Sequence, residues 1–316
     1  MSGFAYHIGD GAARKIPVKE AMSGNSAMVW VHLTTTAEHA EGWLREVAKL
    51  PDYVVDPLIA QETRPRCDAL DEGAFVNLRG RTEEELDPSD MLASVRIWAE
   101  KGRVISVTRK HLLATDAVEK EVTNGRVHDP GDIITAFASA ITADLDPVVA
   151  DLGDDLDDCE QQLDASRAFA LRRSVTRVRV EAINYRRFLN PQRAALEKLA
   201  SLPGEWLGPD DRAHLAAAAD RAARMAEEVE AIRERASLIH EALTDLRAEQ
   251  LDQRGLIISI AAMVFLPLTF ITGLYGMNVK GLWLAEEPWA FDAIVGLCAV
   301  ISVAVTGWFV ARHWLR

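Results

Sequence analysis

Two long apolar segments near the C-terminal end dominate the pattern of hydrophobic and polar positions along the chain. The first covers about residues 255 to 274 without a charged side chain, and the second covers about 290 to 311 with one acid, Asp292, near its start. Each is long enough to cross a hydrocarbon core of about 30 Å as a helix that rises about 1.5 Å per residue. Because a backbone in lipid must satisfy its own hydrogen bonds, the pattern predicts two membrane-spanning helices joined as a hairpin.

The pattern before these segments changes near residue 130. Runs rich in β-branched and aromatic residues, or alternating between apolar and polar positions, predict strands at 28–33, 74–78, 92–98 and 103–108. Helical spacing predicts two shorter helices at 37–50 and 111–122. We therefore expect residues 1–130 to form a cytosolic α/β domain in a protein of α+β class that also has long helices.

The spacing of apolar residues predicts that residues 131–254 are almost entirely helical. Long helices are predicted at about 132–165 and 172–202, and a third begins near Arg212. Apolar residues recur along the third helix at steps of three and four, from Met225 to Leu246. This helix is predicted to run through Gly255 to Tyr275, and the alternative is a break at Gly255 with an independent coiled coil. The predicted regions are therefore 1–130, 131–254 and a transmembrane hairpin with a basic tail at 255–316.

Charges on either side of the apolar segments predict their orientation. Basic residues precede the first segment (Arg247, Arg254) and follow the second (Arg312, Arg316), whereas the joining loop has Lys280 beside two glutamates. Because positive charge is retained in the cytoplasm, both termini are predicted to be cytoplasmic in a multi-pass protein of the inner (plasma) membrane. The start of the chain lacks the basic and apolar parts of a signal peptide, so the N-terminal region is expected to remain cytosolic.

Composition narrows the class of function. The chain has 35 Lys and Arg against 48 Asp and Glu, a formal net charge of −13, which argues against nucleic acid or anionic lipid as a partner and suits a cation. Three scattered cysteines and eight dispersed histidines give no metal-binding spacing, so no tight structural metal site and no cofactor are predicted. The sequence also lacks a nucleophile–base pair and a phosphate loop, so we do not expect an enzyme.

One face of the first apolar segment has small or weakly polar residues at steps of three and four. The face contains Gly273, Thr269, Leu266, Ala262, Ser259, Gly255 and Asp252, with Leu266 as its one bulky member and Ile258 beside it. Two spans cannot enclose a pathway, so a channel requires an oligomer in which each copy turns one helix to the axis. A stripe of small residues is equally typical of close helix packing, and spacing alone leaves both interpretations open.

The first segment ends in Gly276, Met277 and Asn278. Glycine lets the chain leave helical geometry, and asparagine tolerates a turn while it offers a neutral amide oxygen. A ring of amide and carbonyl oxygens suits a hydrated divalent cation that must later be released. The same three residues are also compatible with an ordinary turn.

Residues 262–278, AMVFLPLTFITGLYGMN, resemble the pore helix and Gly-Met-Asn loop of the CorA family of divalent-cation transporters. Pro267, Thr269, Phe270 and Gly273 stand at the positions that the family pattern has, and the order of α/β domain, long helices and two C-terminal spans also agrees. Residues 187–193 resemble the family's arginine–proline–arginine segment. Residues 279–281 depart from typical magnesium channels, and the segment as a whole is more similar to the ZntB zinc-transporter branch.

This resemblance implies a funnel-shaped homopentamer that moves Zn²⁺ through an axial pore, with Mg²⁺, Co²⁺ or Ni²⁺ as the other candidate ions. Gly276, Met277 and Asn278 would form the external ring that captures the cation. The other implied pore residues are, from the outside inwards, Gly273 and Thr269 in the upper pore, Leu266, Ala262 and Ile258 in an apolar constriction, and Asp252 at the cytosolic mouth.

Two groups of acids have both a functional and a plain interpretation. Glu286 and Glu287 would form an outer acidic ring that concentrates cations, or they belong to a solvated loop. Asp151, Asp154, Asp155 and Asp158 would sense cytosolic divalent ions, or they form a solvated helix face. Two alternatives to zinc transport also stay open: a Mg²⁺ or Co²⁺ channel gated by cytosolic divalent ions, and a membrane-anchored coiled-coil scaffold that the hairpin only tethers.

Overall fold

The computed structural model describes residues 2–9, 12–23, 27–34, 37–61, 64–70, 73–82, 92–164, 167–278, 281–283 and 287–314. The strands in these residues are β1 (Ser2–Gly9), β2 (Ala12–Ile16), β3 (Met28–Thr34), β4 (Arg66–Leu70), β5 (Gly73–Arg81), β6 (Leu92–Glu100) and β7 (Arg103–Thr108). The α-helices are α1 (Ala37–Glu46), α2 (Asp52–Ile59), α3 (Leu113–Thr123), α4 (Pro130–Gln161), α5 (Ala168–Ala200), α6 (Pro209–Tyr275) and α7 (Ala290–Trp314).

The strands form a single sheet in the order β2-β1-β3-β7-β6-β5-β4. Only the pair of β3 with β7 is parallel, and the other neighbours in this sheet are antiparallel. The predicted strands at β3 and β5 and the predicted β6–β7 hairpin are confirmed. The hydrophobic pattern did not predict β1, β2, β4 or α2.

Helices cover both faces of the sheet. On one face, Val31 and Leu33 of β3 belong to the same buried core as Trp43 of α1 and Val55 of α2. On the other face, the ring of Trp30 meets that of Phe137 in α4 edge to face, with 6.1 Å between the centroids. Successive side chains of a strand point to opposite faces, so β3 buries residues on both sides, as a strand between two helical layers must.

Three long helices pack beside the sheet through apolar faces and ion pairs. Arg177 of α5 pairs with Asp155 of α4 at 2.8 Å, and Arg186 of α5 pairs with Glu230 of α6 at 2.6 Å. The predicted seam of α6 is buried at Met225, Val229, Ile232, Ala236, Ile239 and Leu243. The third helix predicted from the sequence is confirmed as the 67-residue α6, which continues through Gly255 without a break.

The chain divides into two compact units. The larger unit contains Met1–Gln162 and Ala170–His240, and so holds the sheet, all of α4 and most of α5. The smaller unit contains Leu163–Phe169 and Glu241–Arg316, and so holds the last part of α6 and all of α7.

Three described helices are long and apolar enough to cross a membrane, judged by length and composition: α4, α6 and α7. Half of the apolar stretch of α4 is buried inside the chain, whereas none of the residues in the most apolar stretches of α6 and α7 is fully buried. Ile133, Phe137 and Ile141 of α4 are fully buried in the larger unit, so a structural core explains the hydrophobicity of α4.

Candidate functional site

The predicted pore residues lie on one exposed face of α6. Leu266 is 76% exposed and Ile258 is 69% exposed, which are high values for large apolar side chains. Asp252, Ala262, Thr269 and Gly273 are exposed as well. The helix therefore presents the whole predicted stripe without covering it with other parts of the same chain.

A different face of α6 is partly covered. The partly buried residues between 256 and 275 again recur at steps of three and four: Leu256, Ile260, Val264, Pro267, Leu268, Ile271 and Tyr275. At 3.6 residues per turn these positions lie on the side opposite Ala262, Leu266 and Gly273. In α7 a similar partly buried face contains Ile294, Cys298, Ile301, Val305 and Phe309. The small-residue stripe is therefore not the packing seam of α6 within one chain.

The end of α6 is held by backbone hydrogen bonds, and the predicted capture residues follow it directly. The N–H of Gly276 donates to the carbonyl of Thr272 at 2.9 Å, and a Cβ at position 276 would stand 3.1 Å from that oxygen. Met277 and Asn278 follow and are exposed. Among the described residues of this loop, the left-handed conformation occurs at Gly281, with φ of 100°, so the chain turns back at Gly281.

Tyr275 ties the helix end to the returning loop, a contact that sequence reasoning missed. Its hydroxyl donates to the backbone carbonyl of Trp283 at 3.1 Å. Trp283 itself is 77% exposed. The signal in the sequence was the pair of aromatic residues on either side of the Gly-Met-Asn segment, since tyrosine and tryptophan favour membrane interfaces.

The predicted outer acids are only partly described. Glu286 and Lys280 lie outside the described residues, whereas Glu287 is exposed and its carbonyl accepts a hydrogen bond from the N–H of Ala290 at 3.1 Å. Asp292 lies exposed in the first turn of α7, where a carboxylate interacts favourably with the helix dipole.

The predicted cytosolic sensor residues lie in α4. Asp151, Asp154 and Asp158 share an exposed face with Asp155, whose carboxylate is held by Arg177 at 2.8 Å. On another side of the helix, Arg235 of α6 binds both Asp157, at 2.6 Å, and Glu160, at 2.5 Å. Within one chain, ion pairs with arginine therefore occupy part of the acidic run.

Another set of carboxylates comes close together at the start of α4 and α6. Oxygens of Asp129, Asp132 and Asp211 lie within 4.8 Å of one another, the one such group of potential metal ligands in the part of the chain that the structure describes. Asp129 and Asp132 form a capping box at the start of α4, and Asp211 accepts a hydrogen bond from the N–H of Gly208 at 2.8 Å. Burial raises the pKa of Asp211 to about 6, and the charges of Asp129 and Asp132 act in the same direction.

The chain matches a known protein family over most of its length. The family model described as CorA-like Mg2+ transporter protein matches residues 25–312. The chain is similar to the zinc transport protein ZntB of Pectobacterium atrosepticum, with 29% identity over 313 residues that cover 98% of this chain and 95% of the relative.

Solved structures with the same fold include two full-length proteins. The full-length CmaX protein has a TM-score of 0.78 and 27% identity, with 99% of this chain and 97% of that chain covered. The CorA magnesium transporter from Methanocaldococcus jannaschii has a TM-score of 0.81 and 16% identity, with 98% of this chain and 97% of that chain covered, so it shares the fold.

Proposed function

Because this chain belongs to the family of CorA-like Mg2+ transporter proteins, we propose that it moves divalent cations across the inner membrane, with Zn²⁺ as its main substrate. The zinc assignment is supported by the similarity to the zinc transport protein ZntB, which extends over 98% of this chain. The family is one of transporters, and we propose no enzymatic activity for this member.

The observation that carries the proposal is the exposed face of α6 that ends at the Gly-Met-Asn segment. In a homopentamer, five such faces would surround an axis, and each copy would contribute the same residues. Leu266, Ala262 and Ile258 would form an apolar constriction that gates by dewetting, below Thr269 and Gly273. Because the partly buried face of α6 lies on the opposite side, these residues are free to face the axis.

The two ends of this face have the groups that capture and release of a cation require. At the outer end, five copies of Asn278 would offer amide oxygens, with backbone carbonyls of Gly276 and Met277 beside them. The acids Glu286 and Glu287 would raise the cation concentration around that entrance. At the cytosolic end, five copies of Asp252 would draw the ion out of the constriction.

The proposed topology places α7 across the bilayer beside the apolar part of α6, with both termini in the cytoplasm. Exposed tryptophans flank the apolar stretch of α7: Trp289 is 52% exposed and Trp308 is 54% exposed. At about 1.5 Å per residue their positions are roughly 28 Å apart along the helix, close to the thickness of a hydrocarbon core. Tryptophan favours the two membrane interfaces, so this spacing supports a spanning helix.

Within this proposal, residues 1–130 and 131–254 form the cytosolic part, and 255–316 form the transmembrane hairpin with its basic tail. Asp151, Asp154, Asp155 and Asp158 would sense cytosolic divalent ions and close the pore when they are occupied. Asp155 would then have to exchange its bond to Arg177 for a metal ion, or act through that bond.

Ion uptake into proteoliposomes tests the proposal. Purified protein is reconstituted, and Zn²⁺ and Mg²⁺ uptake are measured in parallel with and without a pH gradient, while native mass spectrometry counts the subunits. We expect zinc uptake, five subunits, and loss of uptake in Asn278→Ala with assembly retained. The matched control is Asn190→Ala, which removes an exposed amide from α5. Magnesium uptake without zinc uptake would identify a magnesium channel, and no uptake of either ion by the assembled wild type would favour the scaffold.

A further inference from the structure

A cation–aromatic pair lies at the C-terminal end of α7. The guanidinium carbon of Arg312 is 5.1 Å from the centroid of the Trp308 ring, and that ring meets Phe309 edge to face at 5.2 Å. Positions 308 and 312 are four residues apart, so their side chains share one face of the helix. Both are exposed, and none of the ion pairs formed by the described residues involves Arg312.

The charge around this pair differs from that of the chain as a whole. No acidic residue follows Asp292 in the sequence, whereas Arg312 and Arg316 do, so the last part of the chain is locally basic. The net charge of −13 arises in the preceding residues, and it therefore does not predict what this end of α7 binds. An anionic lipid, which the overall charge argues against, is therefore compatible with this locally basic end of α7.

We propose that Trp308 and Arg312 bind the phosphate of an anionic phospholipid in the cytoplasmic leaflet. The inference rests on the proposed function, because it requires α7 to span the bilayer with its C-terminal end in the cytoplasm. The indole ring lies at the depth of the interface and holds the guanidinium over its face. A guanidinium in this position directs its N–H groups at phosphate oxygens, and none of the carboxylates that the structure describes is paired with Arg312.

Lipid retention by the full-length protein tests this site. The protein is purified in micelles that contain equal amounts of phosphatidylglycerol and phosphatidylcholine with the same acyl chains, and native mass spectrometry counts the lipids that remain bound. We expect the wild type to prefer phosphatidylglycerol, and Arg312→Gln to reduce that preference about fivefold, the factor that one basic residue near an anionic surface contributes. Trp308→Leu should reduce the preference about twofold, because the cation–π contact is weaker than the charge.

Two controls make the result specific. Arg14→Gln removes an exposed arginine from β2, and Trp289→Leu removes a tryptophan at the other end of α7. The proposal is overturned if Arg312→Gln or Trp308→Leu retains lipid like these controls, or if millimolar inorganic phosphate displaces the bound lipid. Zinc uptake into vesicles of phosphatidylcholine alone tests the proposed function separately, since the lipid site is empty of its anionic ligand there.

Discussion

The side-chain oxygen Oε1 of Gln192 in α5 accepts a hydrogen bond from the backbone N–H of Arg79 in β5, at 2.8 Å. On the β4 side of β5 the strand pairing ends at Asn77, so the N–H of Arg79 lies beyond the reach of β4. The guanidinium of Arg79 also lies 4.0 Å from the ring centroid of Phe188. The segment 187–193, which resembles the arginine–proline–arginine segment of the family, therefore docks α5 onto the end of β5.

We predict that Gln192→Leu destabilises the larger unit by about 1–3 kcal/mol, because it removes the side-chain acceptor of the Arg79 N–H at the buried Gln192. Urea unfolding of the full-length protein in mild detergent, followed by tryptophan fluorescence, measures the change. Arg193→Ala is the matched control, since its ion pair with Glu197 is exposed to solvent and such pairs contribute little to stability. Equal effects of the two substitutions would contradict the role of Gln192.

Acid should destabilise the larger unit through His32. Burial lowers the pKa of His32 to about 4, with the charge of His111 acting in the same direction, and its ring bonds the hydroxyl of Ser106 at 2.9 Å. Below about pH 6.5 the unfolded chain binds a proton at His32, whereas the native state binds it only near pH 4. Stability is therefore lost as the pH falls from 6.5 through 4. The loss reaches about 3 kcal/mol.

His32→Gln should therefore reduce the slope of the unfolding free energy against pH between pH 6.5 and 4. The reduction should correspond to close to one proton, whatever the effect of the substitution at pH 7. Urea midpoints measured at half-unit pH steps give the slope. A variant slope that matches the wild type would show that the His32 imidazole does not titrate in this window.

Asp211 should act with the opposite sign. Its pKa is raised to about 6 from 3.8, so the native state binds the proton more tightly than the unfolded chain does. The stabilisation is complete below pH 3.8 and is lost as the pH rises through 6. Asp211→Asn, which keeps an acceptor for the Gly208 N–H, should raise stability at pH 7 by roughly 1–3 kcal/mol and lose that advantage below pH 4. A variant that is less stable than the wild type at pH 7 would instead show that the ionised carboxylate of Asp211 stabilises the native state through its hydrogen bond from the Gly208 N–H.

Added bulk at the proposed constriction should block transport. Ala262→Leu places an isobutyl group on the exposed stripe of α6, and we expect zinc uptake to fall at least about tenfold while the subunit count is unchanged. Ala261→Leu makes the same change at an exposed position about 100° away around the helix, outside the stripe, and should leave uptake within about twofold of the wild type. If Ala261→Leu is the more damaging change, α6 turns a different face to the axis.

Cytosolic inhibition should depend on the exposed acids of α4. If Asp151, Asp154 and Asp158 sense cytosolic divalent ions, the triple change to asparagine should shift the inhibitory concentration of internal Zn²⁺ or Mg²⁺ upwards by about tenfold or more. Asp157→Asn is the control, because Asp157 is already held by Arg235 at 2.6 Å. Unchanged inhibition in the triple variant would leave these acids as a solvated helix face.

Hydrophobic spacing predicted the elements that bury their own regular faces. The long helices, strand β3 and the β6–β7 hairpin have periodic apolar residues, so local pattern and tertiary burial agree there. The edge strands β2 and β4 have charged residues such as Arg14 and Asp68, and their pairing is decided by a neighbouring strand that the local sequence does not reveal. Helix α2 contains Pro57, and because proline disfavours a helix interior, the local sequence does not predict a helix there.

The helical positions of the candidate site could be predicted from the sequence, but its contacts in the folded chain could not. Spacing identified the stripe from Asp252 to Gly273, and these residues are exposed in the single chain. Spacing gave no sign of the contact between Tyr275 and Trp283, because it joins residues across a turn. An exposed face on a single chain suits lipid, a neighbouring copy or a pore, so the choice between them rests on assembly rather than on local sequence.

The hydroxyl of Tyr275 that bonds the carbonyl of Trp283 has a consequence for the entropy of the proposed cation capture. Because this bond joins the helix end to the returning chain, it removes conformations that a free loop would have to lose if Asn278 ordered around an ion. Under the proposed function, affinity is then gained through preorganisation rather than through an additional ligand. Tyr275→Phe lacks only the oxygen, so in calorimetry its weaker cation binding should appear as a less favourable entropy with little change in the number of ions bound.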